Sequence, residues 1–139
     1  MLFRSPNAPT VEARLVTGEA RLRTLPKHFG PRQLTVEHAV FTWMGRLATE
    51  YRGGFWQFYE LSNGGFYMAP DLQPLHLRCE GNGYDGQMSA DAAGITACLF
   101  AFSHLSFQYT DQMMGRHYHQ LREFAVAHAE AAAIFACCD

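Results

Sequence analysis

The first pattern along the chain is a helical repeat of apolar residues between residues 34 and 51. Apolar side chains recur there every three or four positions, which predicts a helix with one buried stripe formed by Val36, Val40, Trp43, Met44 and Leu47. Upstream, residues 24–30 predict one short helical turn, with Thr24 as its N-cap and Gly30 as its end. Residues 11–16 predict an edge strand.

An alternating pattern replaces the helical spacing after residue 54. Residues 55–61 and 66–69 predict two strands, and the Asn-Gly-Gly turn at 63–65 joins them into a hairpin. Residues 74–80 alternate cleanly, which predicts a further antiparallel strand with one side in solvent. One face of that strand carries Leu75, Leu77 and Cys79, and the other carries His76, Arg78 and Glu80.

Two helices are predicted in the rest of the chain. Ser89 caps the first, over residues 90–109, which is apolar on nearly every side and is therefore expected at the centre of the fold. The second is one long helix over residues 112–136. The predicted fold class is α+β, in which a small antiparallel sheet, the hairpin plus one or two further strands, packs with three main helices.

Composition narrows the class of protein. The chain has 139 residues, 48% of them hydrophobic, which predicts a single domain over residues 1–139 with a flexible arm at residues 1–10. No apolar stretch is long enough to predict a membrane span. The four cysteines, Cys79, Cys98, Cys137 and Cys138, lack metal or redox spacing, so we expect free thiols and a cytoplasmic location.

Net charge argues against two modes of action. The formal charge is −2, with eight bases and four acids in residues 1–52 against three bases and nine acids in residues 53–139. Neither part holds a run of like charge. A duplex-binding protein needs a basic face, and a DNA mimic needs long acidic rows, because duplex DNA carries a charge about every 1.7 Å. We therefore expect neither tight DNA binding nor DNA mimicry.

Motifs for catalysis, cofactors and metals are weak. GNGYDG at residues 81–86 has the spacing of a dinucleotide fingerprint, but no parallel strand follows its helix, so we interpret it as a glycine-rich turn. His117 and His119 point about 200° apart on a helix and cannot bind one metal ion together. His104 is interpreted as a core histidine. We predict no catalytic, cofactor or metal site.

The hairpin carries more aromatic residues than one buried face needs. A two-residue turn would place Leu61 opposite Phe66 and Tyr59 opposite Met68, which together form one apolar side. The other side then carries Trp56, Phe58 and Tyr67 near Arg78. Either further helices cover this side, or it is an exposed aromatic and arginine patch for a protein partner. The candidate partner-binding residues are Trp56, Tyr67 and Arg78.

Two long segments resemble a known family. GGFWQFYELSNGGFYMAP at 53–70 and GYDGQMSADAAGITACLFAFSHLSF at 83–107 resemble the ArdB/KlcA antirestriction proteins of bacterial plasmids and other mobile elements. LPKHFG and FTWMGRL upstream fit the same family, so the resemblance covers about residues 24–125. It implies a compact mixed fold and a non-enzymatic cytoplasmic protein that relieves type I restriction of incoming DNA. It carries over no catalytic residue.

Three hypotheses follow. The first is an inhibitor of a type I restriction-modification enzyme that acts by protein contact, directly or through a host factor. The alternative is a nucleic-acid or small-ligand binding module that stacks its ligand on the hairpin aromatics and uses arginines from the basic first part of the chain. An enzyme is a distant third.

Overall fold

The computed structural model describes residues 10–139, in which five α-helices and five strands form an α+β arrangement. The elements in chain order are β1 (Ala13–Val16), α1 (Ala20–Phe29), α2 (Gln33–Leu47), β2 (Trp56–Leu61), β3 (Phe66–Pro70), β4 (Leu75–Cys79), β5 (Tyr84–Met88), α3 (Ala90–Gln108), α4 (Met113–Ala125) and α5 (Ala131–Cys138). The fold class predicted from the sequence is confirmed. All but the last residue of the predicted flexible arm lies outside the described residues.

The strands form two separate antiparallel sheets rather than one. The first has the order β1-β2-β3, and β4 pairs with β5 in the second. The edge strand predicted at 11–16 and the alternating strand predicted at 74–80 are confirmed by β1 and β4. β5 begins inside the segment interpreted as a glycine-rich turn. Only residues 80–83 form the turn, and the rest of that segment is strand.

The predicted register of the β2–β3 hairpin is wrong by one residue. Glu60, not Leu61, lies opposite Phe66, and Tyr59 lies opposite Tyr67. The loop is longer than two residues because Leu61 closes it by donating from its amide to the Gly65 carbonyl, at 2.9 Å. Asn63 fixes this loop on α4 by donating from Nδ2 to the Gln120 carbonyl, at 2.9 Å.

Helix α1 is longer than the predicted turn. It begins at Ala20, so Thr24 lies inside the helix, where its hydroxyl donates to the Ala20 carbonyl at 2.8 Å. The prediction that Thr24 is an N-cap is therefore wrong. The predicted end is confirmed, since Gly30 adopts a φ of 53° there. Helix α2 buries Val36, Val40, Met44 and Leu47 as predicted but stops at Leu47, four residues early.

The single helix predicted over 112–136 is two helices, α4 and α5. Residues 126–130 turn between them, and the amide of Glu130 donates to His128 Nδ1 at 2.9 Å. The Glu130 carboxylate accepts the Ser89 amide at 2.9 Å and also the Ser89 hydroxyl. Contacts with the start of α3 fix this break between the two helices. The residues near the break give no sign of these contacts in the sequence.

Helix α3 occupies the centre of the fold and is capped by Ser89, whose Oγ accepts the Ala92 amide at 3.1 Å. Both features were predicted. By length and composition α3 could cross a membrane, contrary to the prediction from sequence, but two thirds of its most apolar window is buried inside the fold. α3 is therefore the core helix of this domain.

Candidate functional site

The structure buries two of the three residues predicted to bind a partner. Trp56 is 5% exposed and Tyr67 is 2% exposed. The Trp56 indole donates to the Tyr51 hydroxyl at 2.8 Å, and the Tyr67 ring lies between Tyr59 at 4.6 Å and Phe124 at 5.6 Å. The prediction of an outward aromatic patch is wrong for both residues, because helices cover both sides of the hairpin and every residue of β3 is buried.

Tyr67 ends in a polar network rather than in solvent. Its hydroxyl donates to Asp91 Oδ1 at 2.7 Å, and Asp91 Oδ2 lies 2.8 Å from His128 Nε2. Burial alone would raise the pKa of Asp91, but the hydrogen bonds from His128 and Tyr67 outweigh it and lower that pKa. The same hydrogen bond to Asp91 raises the pKa of His128. The network joins β3, the start of α3 and the turn before α5, which is a structural role.

The hairpin cannot serve as a stacking platform for a nucleic acid. Phe58 is buried, Phe66 is fully buried and packs against Phe29, and Tyr59 has its ring stacked on Tyr67. The alternative hypothesis of ligand stacking on the hairpin aromatics therefore loses its physical basis.

A groove of about 580 Å³ surrounds Glu60. The Glu60 carboxylate accepts from Arg14 at 2.7 Å and Lys27 at 2.8 Å, and lies 2.7 Å from His28 Nε2. The hydrogen bond from Lys27 is the main reason that the pKa of Glu60 is lowered. Glu12 also lines the groove. The two full positive charges are therefore matched by two carboxylates, and the cluster ties β1 and α1 to β2.

Arg78 is exposed, as predicted, with 60% of its side chain accessible. It lies on β4 opposite Asp85 of β5, with 3.5 Å between its Nε and Asp85 Oδ2. Its neighbours are not those predicted. Instead of facing Trp56 and Tyr67, Arg78 lines a groove of about 510 Å³ together with Trp43, Arg46 and Phe100.

Trp43 is the centre of this second surface. Phe100 of α3 stacks on its ring with 4.7 Å between centroids and 16° between planes. The Arg46 guanidinium lies 5.0 Å from the ring, and His104 approaches it edge-on at 6.3 Å. Two smaller grooves, about 280 and 220 Å³, also reach Trp43, and Phe107 lines the first of them. We call this region the Trp43 surface; it consists of Trp43, Arg46, Arg78, Phe100, His104 and Phe107.

Two residues of the Trp43 surface differ from their predicted positions. Trp43 was placed in the buried stripe of α2 but is only half-buried, and His104 was interpreted as a core histidine but is exposed. One signal was present, since Phe100, His104 and Phe107 fall at positions i, i+4 and i+7 of a helix and so share one face. The stripe does not stand out in the sequence, because almost all other residues of α3 are also apolar.

Comparisons with known proteins agree in the class of protein they find. A family model described as antirestriction protein matches residues 49–139. Two proteins from Escherichia coli named antirestriction protein KlcA are 50% and 46% identical to this chain; the first match covers 95% of each sequence, and the second covers 93% of this chain and 95% of the relative. A solved structure with 46% identity superposes with a TM-score of 0.87 and covers 99% of this chain and 100% of its own. It is described as one of the KlcA and ArdB proteins, with a novel fold and antirestriction activity against type I DNA restriction systems in vivo but not in vitro.

Proposed function

The chain belongs to the antirestriction protein family, and from that premise we propose that it relieves type I restriction of incoming DNA in the bacterial cytoplasm by contacting a protein. The observation that carries the proposal is the whole-chain match to the KlcA and ArdB structure, whose activity is described against type I systems. The partner is the type I restriction-modification enzyme or a host factor acting on it. The proposal assigns the chain no catalytic step and no cofactor.

Charge supports contact with a protein over imitation of DNA. The net charge is −2, and several carboxylates are already bonded to basic side chains of the same chain. Asp85 lies beside His76 and Arg78, Asp91 beside His128, and Asp111 beside Arg32. A DNA mimic would instead present unpaired carboxylates in rows at phosphate spacing.

The described activity of the solved relative, present in vivo but not in vitro, suits a protein whose target needs a cellular component. We extend that property to this chain as part of the proposal. The inhibition then depends on a complex that forms in the cell, in which this chain supplies a folded binding surface.

The direct test is the plating efficiency of unmodified phage on a host with an active type I system. Expression of this chain should raise plating at least tenfold, while phage already modified by that host, or a host lacking the endonuclease subunit, should show no change. Unchanged plating by well-expressed, folded protein would refute the proposed function.

A further inference from the structure

We propose that the Trp43 surface binds a protein segment that presents an apolar side chain flanked by carboxylates. This inference rests on the proposed function and specifies the chemistry of the partner that the chain contacts. The surface joins three elements, α2, β4 and α3, so a single bound segment would touch parts of the chain that are distant in sequence.

Apolar area on this surface is available for contact. Phe107 is 88% exposed, and Trp43 and Phe100 are half-buried although both carry large rings. The three grooves that meet at Trp43 give a concave site for an inserted side chain. Tryptophan and arginine side chains in such pockets supply much of the binding energy of protein interfaces.

Charge on the surface favours an acidic partner. Arg46 has no carboxylate within ion-pair distance among residues 10–139, and Arg78 shares Asp85 with His76. Among the residues that line the three grooves, the one acidic residue is Glu80, in the groove of about 510 Å³. Glu80 and Asp85 offset the formal charges of the two arginines, and the arginine of this surface left without a carboxylate within ion-pair distance among residues 10–139 is Arg46. A carboxylate on the partner would complement Arg46.

The same observations argue against a nucleic acid as the occupant. Two arginines can neutralise only a few phosphates, whereas tight duplex binding uses about six to ten such contacts. The Trp43 ring already has Phe100 stacked on it and the Arg46 guanidinium over it, which leaves Phe107 as the highly exposed ring of this surface on which a base could stack.

A graded series at Arg46 tests this inference in the plating assay. Arg46→Gln removes the charge and Arg46→Glu reverses it. A double variant, Arg46→Glu/Arg78→Glu, reverses the charge of both arginines. Arg23→Glu is the matched control, because Arg23 is an exposed arginine of α1 with no carboxylate partner among the described residues. Urea unfolding of each purified variant shows whether the fold is kept.

We expect protection from restriction to fall at least tenfold in Arg46→Glu/Arg78→Glu, and less in Arg46→Gln, while Arg23→Glu protects like the parent. The reversal should cost more than the neutralisation, since it places like charges together. If the reversed variant unfolds, Arg46→Gln/Arg78→Gln replaces it, and a smaller loss of protection is expected, because this variant removes positive charge without adding negative charge.

Three results would overturn the inference. Full protection by a folded doubly reversed or doubly neutralised variant would exclude the surface, and equal losses from neutralisation and reversal of Arg46 would exclude an acidic partner. Duplex DNA binding by the parent that the same substitutions abolish would identify a nucleic acid as the occupant. These outcomes differ from failure of the proposed function, in which the parent itself gives no protection and the inference falls with it.

Discussion

The buried side chain of Tyr67 stabilises the fold through its ring and its hydroxyl. Its ring is stacked on both sides, and its hydroxyl donates to the charged Asp91 carboxylate. We predict that Tyr67→Ala destabilises the fold by about 3–5 kcal/mol, as for other buried aromatic residues. Tyr67→Phe should cost about 1.5–3 kcal/mol, because it removes a hydrogen bond to a charged group and leaves the ring. Urea unfolding measures both changes.

Tyr59→Phe is the control for that pair. Tyr59 is only half-buried, and its hydroxyl donates to the neutral Gln57 amide oxygen at 3.0 Å. We expect this substitution to cost less than about 1 kcal/mol. If Tyr67→Phe costs no more than Tyr59→Phe, the bond to Asp91 contributes little to stability. Unchanged stability in Tyr67→Ala would contradict the burial of this residue.

His117 gives the fold a sensitivity to acid. Burial lowers its pKa to about 4, and the neighbouring His28, 5.3 Å away between ring centroids, adds to the shift. The native state therefore keeps His117 neutral, while the unfolded chain takes up a proton as the pH falls through about 6.5. Stability from this group is present at pH 7, and about 3 kcal/mol of it is lost by pH 4.

We predict that His117→Leu flattens the decline of unfolding free energy between pH 7 and pH 4, whatever it does to stability at pH 7. Urea unfolding across this range measures the slope. His119→Gln, which changes an exposed histidine of the same helix, should leave the slope unchanged. A slope in His117→Leu as steep as that of the parent would show that other groups cause the acid sensitivity. His28, whose pKa is also lowered, mainly by burial, is the first such group.

At the scale of elements, the contact of α3 with β3 depends on a missing side chain. A Cβ placed on Gly94 would lie 2.4 Å from the Ala69 Cβ and 2.5 Å from the Met68 carbonyl oxygen. We predict that Gly94→Ala destabilises the fold by several kcal/mol, because backbone of the central helix and strand must separate. Helix propensity works the other way and favours alanine by only about 1 kcal/mol.

Gly115→Ala separates these two effects. Gly115 lies in α4, has no atom within 4 Å of a built Cβ and has no positive φ. The propensity gain should therefore appear alone, as a stabilisation of up to about 1 kcal/mol. Thermal or urea unfolding of both variants tests the prediction. A Gly94→Ala variant as stable as Gly115→Ala would show that α3 does not pack this closely on β3.

Local patterns predicted most elements because their signals are local. The alternation of β4, the Ser89 cap of α3 and the stop at Gly30 depend on neighbouring residues in the chain. The break between α4 and α5 depends instead on Glu130 reaching Ser89, 41 residues away, and the hairpin register depends on Asn63 reaching α4. The spacing of residues around Glu130 and around Asn63 predicts neither of these long-range contacts.

The candidate site was harder to predict than the elements for a similar reason. Hairpin periodicity identified two aromatic faces but carried no information on which helices cover them, so a covered side and an exposed patch containing Trp56 and Tyr67 both stayed open. Arg78 was correctly placed in solvent, since it alternates with buried Leu77. Trp43 and Phe100, which line the same groove as Arg78, come from α2 and α3, and only the packing of these helices against β4 brings the three to one groove.

At the scale of the whole molecule, charge separates two ways of blocking a DNA-dependent enzyme. A mimic competes with DNA for one site, so its binding falls steeply with salt and is reversed by duplex. This chain has thirteen acids against eleven bases, and its acidic residues 53–139 hold Asp85 and Asp91 in contacts with basic side chains. Asp85 and Asp91 are therefore not free carboxylates of the kind that a mimic would present.

We predict that the purified protein neither binds duplex DNA nor displaces it from a type I restriction enzyme. Fluorescence anisotropy of a labelled duplex carrying the recognition site should stay at its free value with this chain alone, and at its bound value when the chain is added to the enzyme–duplex complex, up to about 10 μM at physiological salt. An acidic DNA-mimic inhibitor is the positive control for displacement. Displacement by this chain that weakens with salt would establish mimicry, and direct binding below micromolar concentration would establish DNA recognition. If the anisotropy stays at the free value with this chain alone and at the bound value with the enzyme, and phage are protected in cells, the chain acts by a protein contact outside the DNA site.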